Sequence, residues 1–241
     1  TLRAAAPWQP LRQRARATAG SQEIRIEIRR DDFRITRRKQ REETTTIFVV
    51  DASGSAALHR LAEVKGAVEL LLAECYVRRD RVALIAFRGR SAELVLPPTR
   101  SLARAKRSLA GLPGGGGTPL ATALETAAML ADGVRRRGQT PIVVLLTDGR
   151  ANVARDGRGG REQASADALA AARVIRIAGF PTLFVDASPQ PHPSAQRLAT
   201  EMAARYLALP HADAGTLSRA VQSHSSWRVV EGAGGTKNSV V

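Results

Sequence analysis

Residues 48–60 read FVVDASGSAALHR. The apolar run that ends at Asp51 is the close of TTTIFVV, a short continuous stretch of the kind that forms a strand buried on both faces. Immediately after it the period changes. Leu58, Leu61, Val64, Val68, Leu71, Leu72 and Cys75 recur at helical spacing, which predicts a helix over 56–78. Asp51, Ser53 and Ser55 sit at alternate positions in the junction. One reading makes them caps of the following helix, since Asp and Ser accept hydrogen bonds from the first free N–H groups. The other makes them oxygen donors aimed to one side of an extended turn, a set that suits a hard cation.

Working outward, RVALIAF (81–87), PIVVLLT (141–147) and PTLFVDA (181–187) are further buried strands. Helical stretches at 101–110, 118–137, 164–178, 194–204 and 213–226 alternate with them. That order predicts an α/β fold: a doubly wound, mostly parallel central sheet with helices on both faces. AELVLP (92–97) is expected as an antiparallel strand at the edge. In such sheets ligands gather at the carboxyl ends of the strands. Three polar groups fall there: Asp51-x-Ser53-x-Ser55, Thr118 after the glycines 114–117, and Asp148 in LLTDGR. The glycines would let the backbone approach closely and swing Thr118 inward. Hydroxyls and carboxylates are the donors that Mg²⁺ takes in octahedral array, leaving positions for water or for an acidic side chain of a partner.

Three regions are expected. Residues 1–43 read as a basic arm or linker, flexible over 1–20. Within it Ile24, Ile26 and Ile28 alternate with charged residues as in a half-buried strand, and Phe33–Ile35 suggests a second short one. Residues 44–228 form the α/β domain, and 229–241 a flexible tail. A chain of 241 residues beginning at Thr1 is expected to be a segment of a longer protein. One cysteine fits a reducing cytoplasm. No apolar run approaches the roughly 20 residues of a transmembrane segment, and residues 1–20 lack the apolar core of a signal peptide.

The net charge of +15 invites a nucleic-acid reading, but more than half of it lies in residues 1–41, which hold 12 Arg or Lys against 4 Asp or Glu. Aromatic residues make up 4% of the chain, too few for a base-stacking platform; nucleic acid is not expected as a partner. The glycine run lacks the Gly-Lys-Ser/Thr of a P-loop, so ATP is not expected to bind here. DASGS is not a G-x-S-x-G nucleophile elbow. His59, His192, His211 and His224 are scattered, and with a single Cys they suggest no zinc site. No catalytic residue is assigned. VDASPQ (185–190) repeats Asp-Ala-Ser without the second serine, and Asp186 reads as a strand-end turn residue.

Asp51-x-Ser53-x-Ser55, a later Thr and an Asp closing a strand resemble the metal-ion-dependent adhesion site of von Willebrand factor A, or integrin I, domains. The resemblance implies direct metal contacts from Ser53, Ser55 and Thr118, with Asp51 and Asp148 acting through water. FVVDASGSAA, GLPGGGGTPLATAL and VVLLTDGRANV, with LRAAAPWQPLRQ…DDFRITRRK upstream, are similar to the carboxyl-terminal, integrin I-type domain found in one of the magnesium chelatase subunits. In that family an AAA+-type domain and a proline-rich acidic linker come before it. Ala56 stands where the family often has Met. This resemblance implies a member of the ATP-dependent ligase complex that inserts Mg²⁺ into protoporphyrin IX in chlorophyll or bacteriochlorophyll synthesis. It also implies as partners an AAA+ ATPase subunit, in hetero-oligomeric stacked rings, and a large porphyrin-binding subunit. The domain itself would be a non-catalytic scaffold with Mg²⁺ at its rim, ATP acting only in the wider complex. The competing readings are the equivalent domain of a cobalt chelatase and a metal-dependent hydrolase.

Overall fold

The computed structural model describes residues 2–17, 26–33, 43–53, 57–188 and 190–209. The chain divides into two compact units, Thr1–Arg41 and Glu42–Val241.

In the first unit the expected flexible arm is helical: α1 (Leu2–Ala5) and α2 (Gln9–Ala17) flank a 3₁₀ turn at Ala6–Trp8. The prolines fall where helices tolerate them. Pro7 lies in the short 3₁₀ turn and Pro10 is the second residue of α2, where no intrahelical donor is lost. The Glu27 carbonyl accepts from Gln9 Nε2 and Arg12 Nη1, both at 2.8 Å. The Arg12 guanidinium forks onto the buried Asp32 carboxylate, with Nη2 to Oδ1 at 3.0 Å. That hydrogen bond holds the Asp32 carboxyl well below its ordinary value, at about 2. The expected strand is absent from the described residues of this stretch: residues 26–29 form none, and Arg30–Asp32 is a 3₁₀ turn. Side-chain donors take up the backbone that a neighbouring strand would have paired, and Ile26, Ile28 and Phe33 are exposed. Ile24 and Ile35 lie outside the described residues.

The second unit holds a six-stranded sheet of order β3-β2-β1-β4-β5-β6. Its strands are β1 (Thr44–Asp51), β2 (Arg81–Arg88), β3 (Ser91–Thr99), β4 (Thr140–Thr147), β5 (Thr182–Asp186) and β6 (Arg205–Ala208). All pair in parallel except β3, which runs antiparallel to β2 at the edge, as AELVLP predicts. The helices are α3 (Ala57–Val77), α4 (Leu102–Ala110), α5 (Leu120–Arg136), α6 (Arg161–Ile177) and α7 (Pro193–Glu201).

Strand alternation explains the unbroken apolar runs. Ile47 and Val49 of β1 join the core under α5, α6 and α7, while Phe48 and Val50 join the opposite core under α3 and α4. Both faces are covered, so the middles of the central strands, Ile47–Val50 and Ile142–Leu146, are continuous apolar runs. β6 was not expected from the sequence. The helix predicted over 194–204 stops at Glu201, and Ala203, at φ 52°, turns the chain into a half-exposed edge strand. The helix predicted at 213–226 and the tail at 229–241 lie outside the described residues.

Candidate metal centre

β1 and β4 are neighbours, but the chain leaves β1 toward β2 and leaves β4 toward β5, on opposite sides. The two connections diverge and open a crevice at the carboxyl ends of these strands, the place where ligands sit in this architecture. Asp51 ends β1 and Thr147 ends β4. Their register, Val50 opposite Leu146, sets them side by side.

Asp51 organises the crevice. Its Oδ1 accepts the Ser53 backbone N–H at 2.9 Å and the Ser53 hydroxyl at 2.6 Å, closing a tight turn. Its Oδ2 accepts the Thr147 hydroxyl at 2.7 Å. Ser53 Oγ lies 2.6 Å from Thr118 Oγ1, across 65 residues of sequence. Thr118 is held in turn by Asn152, whose side-chain oxygen accepts the Thr118 N–H at 2.6 Å and whose own N–H donates to the Thr118 carbonyl at 3.3 Å. Asp148 follows β4, and its carboxylate accepts the Arg150 N–H at 3.0 Å. Enclosure pushes the Asp51 carboxyl up from its ordinary value against the pull of the Ser53 and Thr147 bonds, and the Asp148 charge pushes it the same way.

The glycines act by close approach. A Cβ on Gly117 would stand 2.5 Å from Val153 Cγ2 and 2.7 Å from the Gly89 carbonyl, so only glycine lets the loop enter beside Thr118. The Gly115 N–H also ties that loop to the Ala52 carbonyl at 2.8 Å. Gly149 has φ +75°, and a Cβ there would lie 2.7 Å from Ala195 Cα, which seats the Asp148 loop against α7.

Of the five candidate ligands, Asp51, Ser53 and Thr118 are joined in one hydrogen-bonded cluster, and Asp148 acts on it through its charge. Ser55 lies outside the described residues. Thr147 and Asn152 join the cluster without having been expected from the sequence. Thr147 had a usable signal, because it precedes Asp148 and ends a strand parallel to β1. Asn152 had none, since its role depends on how the loop after β4 folds back.

The donor set fits a small hard cation. Neighbouring ligands on an octahedral Mg²⁺ at about 2.0–2.1 Å stand about 3 Å from each other, close to the separation of the Ser53 and Thr118 hydroxyls. Among the described residues the partners of the enclosed Asp51 carboxylate are hydroxyl and N–H groups, and no basic side chain pairs with it.

A sheet of this order with its polar cluster at the β1 and β4 ends defines a von Willebrand factor type A domain, and that family matches residues 46–150. Among solved structures, the PilB minor pilin of Streptococcus sanguinis superposes with a TM-score of 0.64 at 14% identity, covering 80% of this chain and 64% of the pilin. The chain is 55% identical over 218 residues to the magnesium-chelatase 60 kDa subunit of Cereibacter sphaeroides. It is 41% identical over 233 residues to the 67 kDa subunit of Chlorobaculum parvum. These matches cover 90% and 92% of the chain, and 38% of each relative's length. The chain belongs to the family of these magnesium-chelatase subunits. Among the described residues no helix is long and apolar enough to cross a membrane.

Proposed function

We propose that the crevice binds Mg²⁺ and that the domain docks a partner subunit through it. Ser53 and Thr118, with Ser55 two positions on in the sequence, would hold the ion, and Asp51 and Asp148 would supply the negative charge around it. A bound ion offers an open coordination position to a carboxylate from outside the chain. This chain's own residues then have three tasks. Asp51 fixes the Ser53 hydroxyl, Thr147 fixes the Asp51 carboxylate, and Asn152 fixes the backbone of Thr118. The observation that carries the reading is the Ser53–Thr118 contact, because helix capping by Asp51 and Ser53 gives no reason for a hydroxyl 65 residues away to join them.

The relatives' names support a role within magnesium chelatase. The assembly we infer inserts Mg²⁺ into protoporphyrin IX with ATP hydrolysis, as a cytoplasmic ligase of hetero-oligomeric rings. An AAA+ ATPase subunit and a large porphyrin-binding subunit are the partners. The chain described here acts as their scaffold and leaves chemistry to the assembly. A hydrolase would need a free general base at the crevice. Both oxygens of Asp51 are instead engaged as acceptors. Calorimetric titration of Mg²⁺ into wild type, Asp51→Ala and Thr118→Ala tests the metal reading: binding is expected in wild type and weakened at least about tenfold in both variants. Equal affinity in all three overturns it.

A further inference from the structure

A cleft of about 590 Å³ opens beside the crevice. One wall is the β2–β3 turn, Gly89–Arg90, and the other is the loop after β4, Val153 and Asp156–Gly159. Its floor reaches Gly117, the residue before Thr118. The two walls adjoin the metal centre: the Gly116–Gly117 backbone packs on Gly89, and Asn152, the residue before Val153 of the second wall, is the clamp on Thr118. Two arginines line the cleft. Arg90 is exposed, and among the described residues no carboxylate pairs with it. Arg158 reaches Asp156 at 3.6 Å, with side chains 87% and 57% exposed, a pair that water screens and that breaks at little cost. Both guanidiniums are therefore available to an external anion.

We propose that this cleft reads a second acidic residue of the docking partner. The partner is an acidic peptide segment that sets one carboxylate at the metal crevice and a following carboxylate between Arg90 and Arg158. This rests on the proposed docking role of the crevice and adds what distinguishes one acidic partner from another. A guanidinium presents parallel N–H donors that match a carboxylate's two oxygens, so two arginines flanking one cleft recognise a carboxylate with defined geometry. Asp156 in the same wall disfavours a continuous run of negative charge such as a phosphate backbone. The lining also has no aromatic residue on which a base would stack. A peptide with separated carboxylates fits better than a nucleic acid.

The test uses the chain as it stands, with Mg²⁺ at about 0.15 M salt. Fluorescence anisotropy compares a labelled Gly/Ser peptide carrying one Asp and, a few residues on, a Glu-Glu pair with the same peptide carrying Gln-Gln. Wild type is expected to prefer the Glu-Glu peptide. Arg90→Gln/Arg158→Gln should weaken that peptide about tenfold and leave the Gln-Gln peptide unchanged. Its calorimetric Mg²⁺ affinity should not change. Arg104→Gln/Arg107→Gln, on exposed positions of α4, removes the same charge elsewhere and should change nothing. No preference in wild type, or an equal loss in the α4 variant, overturns the proposal. Tighter binding of a single-stranded oligonucleotide with the same dependence on Arg90 and Arg158 overturns it in favour of a phosphate ligand. If wild type binds no Mg²⁺ yet the arginine-dependent preference persists, the cleft stands and the metal reading falls.

Discussion

Two strands of this sheet end in the same three residues. Asp51-Ala52-Ser53 closes β1 and Asp186-Ala187-Ser188 closes β5, and both make the same turn. The serine N–H and hydroxyl reach the aspartate Oδ1 at 2.9 and 2.6 Å in the first, and at 2.8 and 2.5 Å in the second. The difference lies in what neighbouring elements add. At Asp186 the second oxygen accepts the Tyr206 hydroxyl from β6, and Tyr206 stacks on Phe184 at 5.9 Å. Asp186 and Ser188 are buried, and the turn is closed on itself. At Asp51 the second oxygen accepts Thr147, while the Ser53 hydroxyl turns outward to Thr118 on a different loop. One local code thus yields a structural plug under an edge strand and a donor cluster in the central crevice. What separates them is position in the sheet: β1 borders the point where connections diverge, and β5 has β6 packed along its flank.

That contrast can be broken most directly by exchanging the aspartates' fates. Asp51→Ala removes the anchor of the donor cluster, and Mg²⁺ affinity measured by calorimetry should fall about 10–100-fold, the range for groups that orient a metal's ligands. Asp186→Ala should leave Mg²⁺ affinity within about twofold of wild type and act on folding instead. It strands the Tyr206 hydroxyl and the Ser188 N–H and hydroxyl, at about 2–3 kcal/mol of stability in urea denaturation. If Asp186→Ala weakens Mg²⁺ as much as Asp51→Ala does, the two turns are not functionally distinct and the comparison fails.

Asn152→Ala sharpens the same comparison from the partner side. It releases the Thr118 N–H without touching Asp51 or Ser53. We expect Mg²⁺ affinity to drop by about 3–10-fold, with about 1 kcal/mol lost in urea. A stability loss with unchanged Mg²⁺ affinity would mean that Thr118 does not need its clamp.

These roles were unevenly legible in the sequence. The sheet was readable because burial on both faces forces continuous apolar runs, and Ile47–Val50 and Ile142–Leu146 are 0% exposed. The edge strand β3 was readable because Glu93 breaks its run. β6 was not, because RYLA is four residues long, half-exposed and directly follows a helix. The arm misled in the opposite direction. Ile26 and Ile28 alternate as a strand does, yet Gln9 and Arg12 occupy the backbone between them, a tertiary contact that no local period encodes. In the site, Asp51, Ser53 and Thr118 were legible as a motif, whereas Asn152 works through a loop geometry. The two D-A-S turns were separable only because prolines and Gln190 follow the second; Tyr206, which seals it, gave no local sign.

The smallest effect on Mg²⁺ affinity belongs to that seal, which touches Asp186 and not the donor cluster. Tyr206→Phe deletes one hydrogen bond to Asp186 and keeps the ring stacked on Phe184, so about 1–2 kcal/mol should be lost in urea at neutral pH. Its pH dependence has a definite sign. Burial, then the bond to Asp186 and its negative charge, push the Tyr206 hydroxyl above its ordinary value. A group whose folded pKa is raised contributes fully below the unfolded value, about 10 for tyrosine, and loses that contribution as pH climbs toward the folded value. The stability gap between wild type and Tyr206→Phe should therefore be flat from about pH 7 to about pH 9 and shrink above about pH 10. Tyrosinate absorbance gives the independent check: the component present in wild type and missing from the variant should be the one that ionises late. An early-ionising component would mean that Tyr206 leaves Asp186 unsealed, and the second turn would then be as open as the first.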